Sequence, residues 1–128
     1  MSISNLRLNI ESHLSTNFTT YPIKYENVAF ETPTNSPWVA CHIKRNKLPT
    51  PELNQASYEV NGILIFQVFT PLNSGTVTSN AILDQLAGLY NDQIISNIWF
   101  HDADITDVGN GETWYQVNLS IPFIHLGV

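Results

Sequence analysis

The stretch Tyr58-Glu-Val-Asn-Gly-Ile-Leu-Ile-Phe-Gln-Val-Phe-Thr-Pro71 decides the fold of this chain. It is rich in β-branched and aromatic residues, which favour a strand over a helix. One side of the extended chain carries Val60, Leu64, Phe66 and Val68, and the other carries Ile63, Ile65 and Phe69. Apolar residues on both sides are typical of a strand in the middle of a sheet. Pro71 has no N–H to donate, so we expect the strand to end there.

The dipeptide Asn61-Gly62 leaves two interpretations of this strand open. Asn-Gly favours a two-residue turn, which would split the stretch into two shorter strands. Alternatively, Gly62 marks a bulge or a close approach of another backbone within one continuous strand. We favour the continuous strand.

Two helices are predicted, one before and one after this strand. Beyond Pro71, Gly75 permits a tight turn and Thr76 or Thr78 is placed to cap a helix over residues 77–92. Near the N-terminus, apolar residues recur every three or four positions, which predicts an amphipathic helix that ends before Tyr21-Pro22. The apolar positions of this first helix are Ile3, Leu6, Ile10 and Leu14.

The remaining segments are predicted as strands and loops. Residues 23–30 form an edge strand or an extended segment, and residues 38–44 form a strand that pairs antiparallel with the central one. Residues 94–101 are extended, a polar loop runs to Glu112, and a last strand covers residues 113–125. This order predicts a single α+β domain over residues 1–128, with two helices on one face of a mainly antiparallel sheet.

The amino-acid composition limits the classes of function that the chain can have. The chain has 128 residues, 43% of them hydrophobic, which is ordinary for one globular domain. Charged residues make up only 12%, about half the usual share. The surface must therefore be covered by uncharged polar residues or be partly hidden against other subunits. A net charge of −6 disfavours direct binding to nucleic-acid phosphates, which requires clustered Lys and Arg.

Cellular location is predicted from three further features. Cys41 is the one cysteine, so no internal disulfide forms and a reducing compartment is expected. The first residues lack the basic region and the apolar run of a signal peptide. No stretch reaches the length of a membrane span. We expect a soluble cytoplasmic protein.

The acidic segment His101-Asp-Ala-Asp-Ile-Thr-Asp107 is the strongest candidate for a metal site. Asp102 and Asp104 have the first ligand spacing of an EF-hand calcium loop. That loop requires glycine where Asp107 stands and a bidentate glutamate where Thr113 stands. A solvated hairpin loop is therefore the better interpretation.

Catalytic signatures are missing from the sequence. The four histidines lack metal-ligand spacing, and Cys41 lies in an apolar strand that favours an inert thiol. No nucleophile elbow, P-loop or dinucleotide fingerprint occurs. Trp38, Trp99 and Trp114 could line a ligand pocket, but tryptophans in strands are more often core or interface. We expect no enzymatic activity, no cofactor and no metal.

The chain resembles the tail terminator family of long-tailed bacteriophages, which are also called tail completion proteins. The resemblance covers nearly the whole chain and depends on glycines, prolines and apolar alternation. It is carried by the N-terminal helix that ends before Tyr21-Pro22, the segment Glu26-Asn-Val-Ala-Phe30 followed by a proline-containing turn and Trp38-Val39, the stretch from Gly62 to Pro71 with Gly75 and a helix, and Gly111-Glu-Thr-Trp-Tyr115 before the final strand.

The resemblance implies a non-enzymatic virion protein of the tail–neck junction, assembled in the host cytoplasm. Such a protein caps the tail tube as a ring, expected to be a hexamer, and ends tube polymerisation at a set length. Its partners would be further copies of itself, the tail tube protein and the head–tail connector proteins. DNA would pass through the ring without specific binding, and no membrane would be involved.

Two sets of residues are predicted to act in such a ring. The segment from Arg45 to Ala56 is long for a hairpin connection, and we expect it to reach a neighbouring subunit or the tube. Its predicted interface residues are Arg45, Lys47, Leu48, Glu52 and Leu53. The acidic residues Asp102, Asp104 and Asp107 are expected to contribute to the ring lumen, where they would repel phosphates and let DNA slide.

Two alternatives stay open at this point. A neck or head-completion protein also forms rings at the tail junction. A small-molecule-binding α+β domain would instead hold a ligand in an apolar pocket between sheet and helix, with ionisable groups pointing into it. His42 and Glu59 are the candidates for such groups.

Overall fold

The computed structural model describes residues 3–45 and 59–126, which form two helices and seven strands. In chain order these are α1 (Ile3–Asn17), β1 (Ile23–Tyr25), β2 (Trp38–Arg45), β3 (Glu59–Pro71), α2 (Val77–Tyr90), β4 (Gln93–Ile95), β5 (Ile98–Phe100), β6 (Asp104–Asn110) and β7 (Trp114–Leu126). Neither described helix combines the length and the apolar character that crossing a bilayer requires.

All seven strands belong to one sheet, with β3 near its middle. The order is β1-β2-β3-β7-β5-β4, and β6 pairs with β7 beside β5. The 13-residue strands β3 and β7 pair along their whole length. On its other edge, the first half of β7 pairs with β6 and its last residues pair with β5. Among the described strands, β1 and β2 form the one parallel pair.

Both helices pack on the same face of this sheet, as predicted. The side chains of Leu64, Phe66 and Val68 on β3 point toward them, and so do those of their partners Ile121, Leu119 and Val117 on β7, because directly paired residues of antiparallel strands share a face. The core is formed by Leu6, Ile10, Leu14 and Phe18 of the N-terminal region, Ile82, Leu83, Leu86 and Tyr90 of α2, and Val39, Cys41, Ile43, Leu64, Phe66, Val68, Ile98, Phe100, Val117, Leu119, Ile121 and Phe123 of the sheet. The predicted α+β fold, with two helices on one face of a mainly antiparallel sheet, is therefore confirmed.

Gly62 lies inside one continuous strand, so the alternative of a turn at Asn61-Gly62 is wrong. A Cβ atom at this position would overlap the carbonyl oxygen of Lys44 on the paired strand and would lie 3.0 Å from Cζ of Phe123. The predicted close backbone approach is the reason for the glycine.

The structure corrects two predictions between α2 and the last strand. Residues 94–101 are extended as predicted, with Ile98 and Phe100 buried and Trp99 exposed, but they are not one segment. They are divided between β4 and β5, which pair as a hairpin, because Ser96 and Asn97 both adopt positive φ and reverse the chain. The predicted polar loop before Glu112 contains β6, a seven-residue strand paired with β7. Its polar composition concealed it, since β6 is exposed on both sides and has no buried face to produce alternation.

Smaller differences concern the ends of elements. The predicted edge strand at residues 23–30 pairs only at Ile23–Tyr25. The first helical turn of α2 receives no side-chain bond from Thr76; instead the Ser79 hydroxyl donates to the Thr76 carbonyl oxygen at 3.0 Å. This helix ends at Tyr90, two residues earlier than predicted.

Candidate protein-interaction surface

The sheet face opposite the helices is the candidate interaction surface, and we call it the helix-free face. Ile63, Ile65 and Phe69 of β3 lie on it and are partly exposed. The prediction that both sides of β3 are apolar is confirmed, but no described helix covers this second side. Neighbouring strands add Trp38, Ala40, His42 and Lys44 from β2, and Gln116, Asn118, Ser120, Pro122 and Ile124 from β7. The face is therefore apolar and amide-rich and carries few charges.

An aromatic cluster closes one end of the helix-free face. Trp38 stacks on Phe69, with ring centroids 4.2 Å apart and planes 14° apart. Trp114 contacts Trp38 edge-on, with ring centroids 6.1 Å apart. Phe30 also packs on Trp38, at a centroid distance of 5.4 Å. Trp38 is only 7% exposed as a result. Two of the three tryptophans thus stabilise the sheet by packing on each other.

Two adjoining hollows form a groove at the β1–β2 edge, which we call the lysine groove. Lys24, Tyr25, Asn27, Val28 and Ala29 line the first, and Lys44, Ile65, Gln67 and Asn118 line the second. Both hollows include Glu26 and His42. The ring of His42 is fixed by a 2.9 Å hydrogen bond between its Nε2 and Oε1 of Gln67. His42 therefore lies on the helix-free face and not in the core.

The negative charge of Glu26 in this groove is compensated by two hydrogen-bond donors. Its Oε1 accepts a 2.7 Å hydrogen bond from the backbone N–H of Ile43 and a 3.1 Å bond from Nη2 of Arg7. Burial alone would raise the pKa of Glu26, but these two bonds outweigh it and lower the pKa. Arg7 also pairs with Glu11 at 3.1 Å. Lys24 and Lys44 therefore remain the cations of the groove, and neither forms a salt bridge with a described residue.

The predicted acidic residues lie at the opposite edge of the sheet. Asp102 precedes β6 with φ of 55°, is 88% exposed in its side chain and lies 3.1 Å from Nδ1 of His101. Asp104 and Asp107 are both exposed on β6, but they point to opposite faces of the sheet because their partners on β7 are Ser120 and Val117. The structure brings the three onto one edge, and whether they face a ring lumen stays a prediction.

This edge also exposes apolar side chains. Ile105 is 53% exposed and Val108 is 54% exposed on β6. A bulge between Asp107 and Gly109 interrupts the pairing with β7 at Val108. Sequence reasoning missed this strand, although the β-branched content of Ile-Thr-Asp-Val was a signal that could have found it. The other side of β6 pairs with no described strand.

Of the predicted interface residues, Arg45 is exposed at the end of β2. Lys47, Leu48, Glu52 and Leu53 lie outside the described residues. Their role stays a prediction.

The described residues offer little for catalysis or ligand binding. Cys41 is fully buried, and burial raises the pKa of its thiol to about 12, so the thiolate nucleophile does not form at neutral pH. No group of three metal-ligating side chains comes together in residues 3–45 and 59–126. Between helices and sheet, the Tyr90 hydroxyl donates to the Ile10 carbonyl oxygen at 2.9 Å within packed side chains. The side chain of Glu59 lies outside what is described.

Comparison with known proteins identifies one family whose model matches this chain. A family model described as phage tail terminator protein matches residues 5–123. Eight chains of solved structures match, and one of them aligns with a TM-score of 0.80 at 15% identity, covering 97% of this chain and 95% of that chain. At that identity the likeness shows the fold alone. A search of curated proteins found no match.

Proposed function

This chain belongs to the phage tail terminator family, a family of structural tail proteins, and on that premise we propose that it caps the tail tube as a ring and ends tube polymerisation. The observation that carries the proposal is the family match. It spans residues 5–123 and so includes α2, strands β1 to β6, and all but the first two residues of α1 and the last three residues of β7. We further propose a hexamer, which sits in the virion at the junction of tail and head.

The surface of the protomer supports assembly with copies of itself. Partly exposed Ile63, Ile65 and Phe69 form an apolar row on the helix-free face, and Ile105 and Val108 are exposed at the β6 edge. Interfaces concentrate apolar and aromatic side chains and contain few charged residues at their centres. With only 12% charged residues in the whole chain, such surfaces are available without burying unpaired charges.

The partners of the ring follow from its place in the tail. One side of the ring would contact the tail tube protein, and the other would present a joining surface to the head–tail connector proteins. The acidic edge at Asp102, Asp104 and Asp107 would give a channel that repels DNA phosphates, so DNA would pass without specific binding. The net charge of −6 supports the same behaviour for the assembled ring.

A tube-growth assay tests the proposal. Purified tail tube protein is polymerised with and without this protein, and tube lengths are measured by negative-stain electron microscopy. We expect tubes that stop growing and carry one ring at one end. Tubes of unchanged length, or protein bound all along the tube wall, would contradict the capping function. Leu8→Ser serves as a control, because Leu8 is exposed on α1, and α1 packs on the sheet face opposite the helix-free face.

A further inference from the structure

The two outer edges of the sheet differ in charge. At one edge, β6 exposes Asp104 and Asp107 together with Ile105 and Val108. At the other edge, the lysine groove contains Lys24 and Lys44 together with apolar surface from Val28 and Ile65. Each edge thus combines two charges of one sign with two apolar side chains.

The charged side chains at both edges are available to pair with residues of another protomer. Among the described residues, neither the two aspartates of β6 nor Lys24 and Lys44 make a salt bridge. Arg7, by contrast, is held by Glu11 and Glu26. The one carboxylate in the lysine groove, Glu26, is compensated by that arginine and by the Ile43 N–H, so the groove remains cationic.

The two edges are also connected by one row of paired residues that crosses the sheet. Lys24 pairs with Ala40, which pairs with Gln67, which pairs with Asn118, which pairs with Thr106 of β6. This row runs directly from β1 to β6 over four strand spacings, or about 19 Å. The acidic strand and the lysine groove therefore lie at opposite ends of one row of paired residues across the sheet.

We propose that β6 of one copy docks edge-on into the lysine groove of a second copy, so that Asp104 on one side of the strand and Asp107 on the other lie near the lysines of the two hollows, Lys24 and Lys44. The contact uses two different patches, so it is heterologous and can continue from copy to copy until a ring closes. Charge complementarity identifies a second copy of this chain as the occupant of the groove, and it fixes the direction of the contact. The inference rests on the proposed ring and specifies which surfaces build it. In a ring built this way Asp104 and Asp107 lie in the contact between copies, and of the three acidic residues only Asp102 is left to face the lumen.

A charge-swap experiment tests the contact. Three proteins are prepared: D104K/D107K, K24E/K44E, and the fourfold variant that carries all of these changes. Circular dichroism and thermal melting establish that each one folds. Native mass spectrometry then measures assembly of each protein alone and in the presence of tail tube protein. The control E31K/D84K makes the same change in net charge as D104K/D107K, at exposed acids that belong neither to β6 nor to the lining of the lysine groove.

The expected pattern is specific to a head-to-tail contact. Each double variant places like charges in its own contact, so its half-assembly concentration should rise about tenfold or more. An equal mixture of the two double variants should assemble into rings in which they alternate, and the fourfold variant should assemble by itself. The control should behave like the wild type.

Two outcomes would overturn the contact without touching the proposed function. Both double variants could form rings as the wild type does, as expected if Asp104 and Asp107 instead line the lumen. Alternatively, the double variants could fail while the mixture and the fourfold variant fail as well, which would mean that the two patches do not meet. A wild-type protein that forms no ring under either condition would instead contradict the proposed function itself.

Discussion

The carboxylate of Glu26 takes the place of a backbone partner for the N–H of Ile43, at 2.7 Å. The parallel ladder between β1 and β2 ends at the pair of Tyr25 and Cys41, and the chain then leaves the sheet. Without Glu26, the Ile43 N–H at this edge would lack a protein partner. Arg7 of α1 bonds the same carboxylate oxygen and also lies 3.4 Å from the Ile43 carbonyl oxygen. One acidic side chain therefore ties the first helix to the edge of the sheet.

The first prediction concerns the pH dependence of this link. The folded state lowers the pKa of Glu26, so its contribution is present above the pKa of the unfolded chain and is lost as pH falls through the folded pKa. Glu26→Gln keeps an oxygen acceptor but removes the charge. Because the site is partly exposed, we expect a loss of about 0.5–1 kcal/mol at neutral pH that becomes smaller as the pH falls below the usual titration range of a glutamate.

Urea unfolding between neutral pH and pH 3 measures this difference. Glu31→Gln is the matched control, because Glu31 is an exposed carboxylate without a described bonding partner, and its effect should be small at every pH. A Glu26→Gln effect that is independent of pH would contradict the assignment.

The second prediction concerns the close approach at Gly62. Gly62→Ala forces a methyl group against the Lys44 carbonyl oxygen, which is backbone and cannot rotate away. We expect destabilisation of at least about 2 kcal/mol in urea unfolding. Gly88→Ala is the control, because nothing lies within 4 Å of a Cβ there and the residue is inside α2. That change should stabilise the protein by about 0.5–1 kcal/mol. Equal effects of the two substitutions would contradict the account.

The third prediction concerns the buried thiol of Cys41. A pKa raised to about 12 by burial makes the thiolate about a thousandfold scarcer than in an exposed cysteine. We expect a disulfide reagent such as Ellman's reagent to leave the native protein unlabelled at pH 8 for hours and to label it at once in urea. Stoichiometric labelling of the native protein within minutes would show that Cys41 is accessible.

The fourth prediction concerns the segment between β2 and β3. If residues of this segment contact a neighbouring subunit or the tube, deleting residues 49–54 should abolish ring formation or tube binding. The thermal melting temperature should stay close to that of the wild type, because the deletion spares every described strand and helix. Assembly that is unchanged by the deletion would refute the role of this segment.

Sequence alone predicted most of the fold because the core strands and helices have one-sided apolar patterns. The periodicities of α1 and α2 reflect the faces that pack on the sheet, and the alternation in β7 reflects the core face at Val117 and Leu119. β6 escaped prediction because both of its faces are exposed. The hairpin at Ser96-Asn97 escaped because positive φ at two residues other than glycine has a weak sequence signal.

The candidate contact surfaces were less predictable for a related reason. Asp104 and Asp107 were recognised as an acidic group, but their separation onto opposite faces depends on the pairing register with β7. Lys24 and Lys44 are 20 positions apart and meet in one groove only because β1 pairs parallel to β2. Such long-range pairing leaves no local pattern in the sequence.

Native mass spectrometry of the purified protein, alone and with tail tube protein, is the most direct test of the ring. The account predicts a closed species near six times the 14.4 kDa protomer mass in at least one of these conditions, and an annular particle of that species in negative stain. A protein that stays monomeric or dimeric in both conditions, at concentrations that support tube growth, would contradict it.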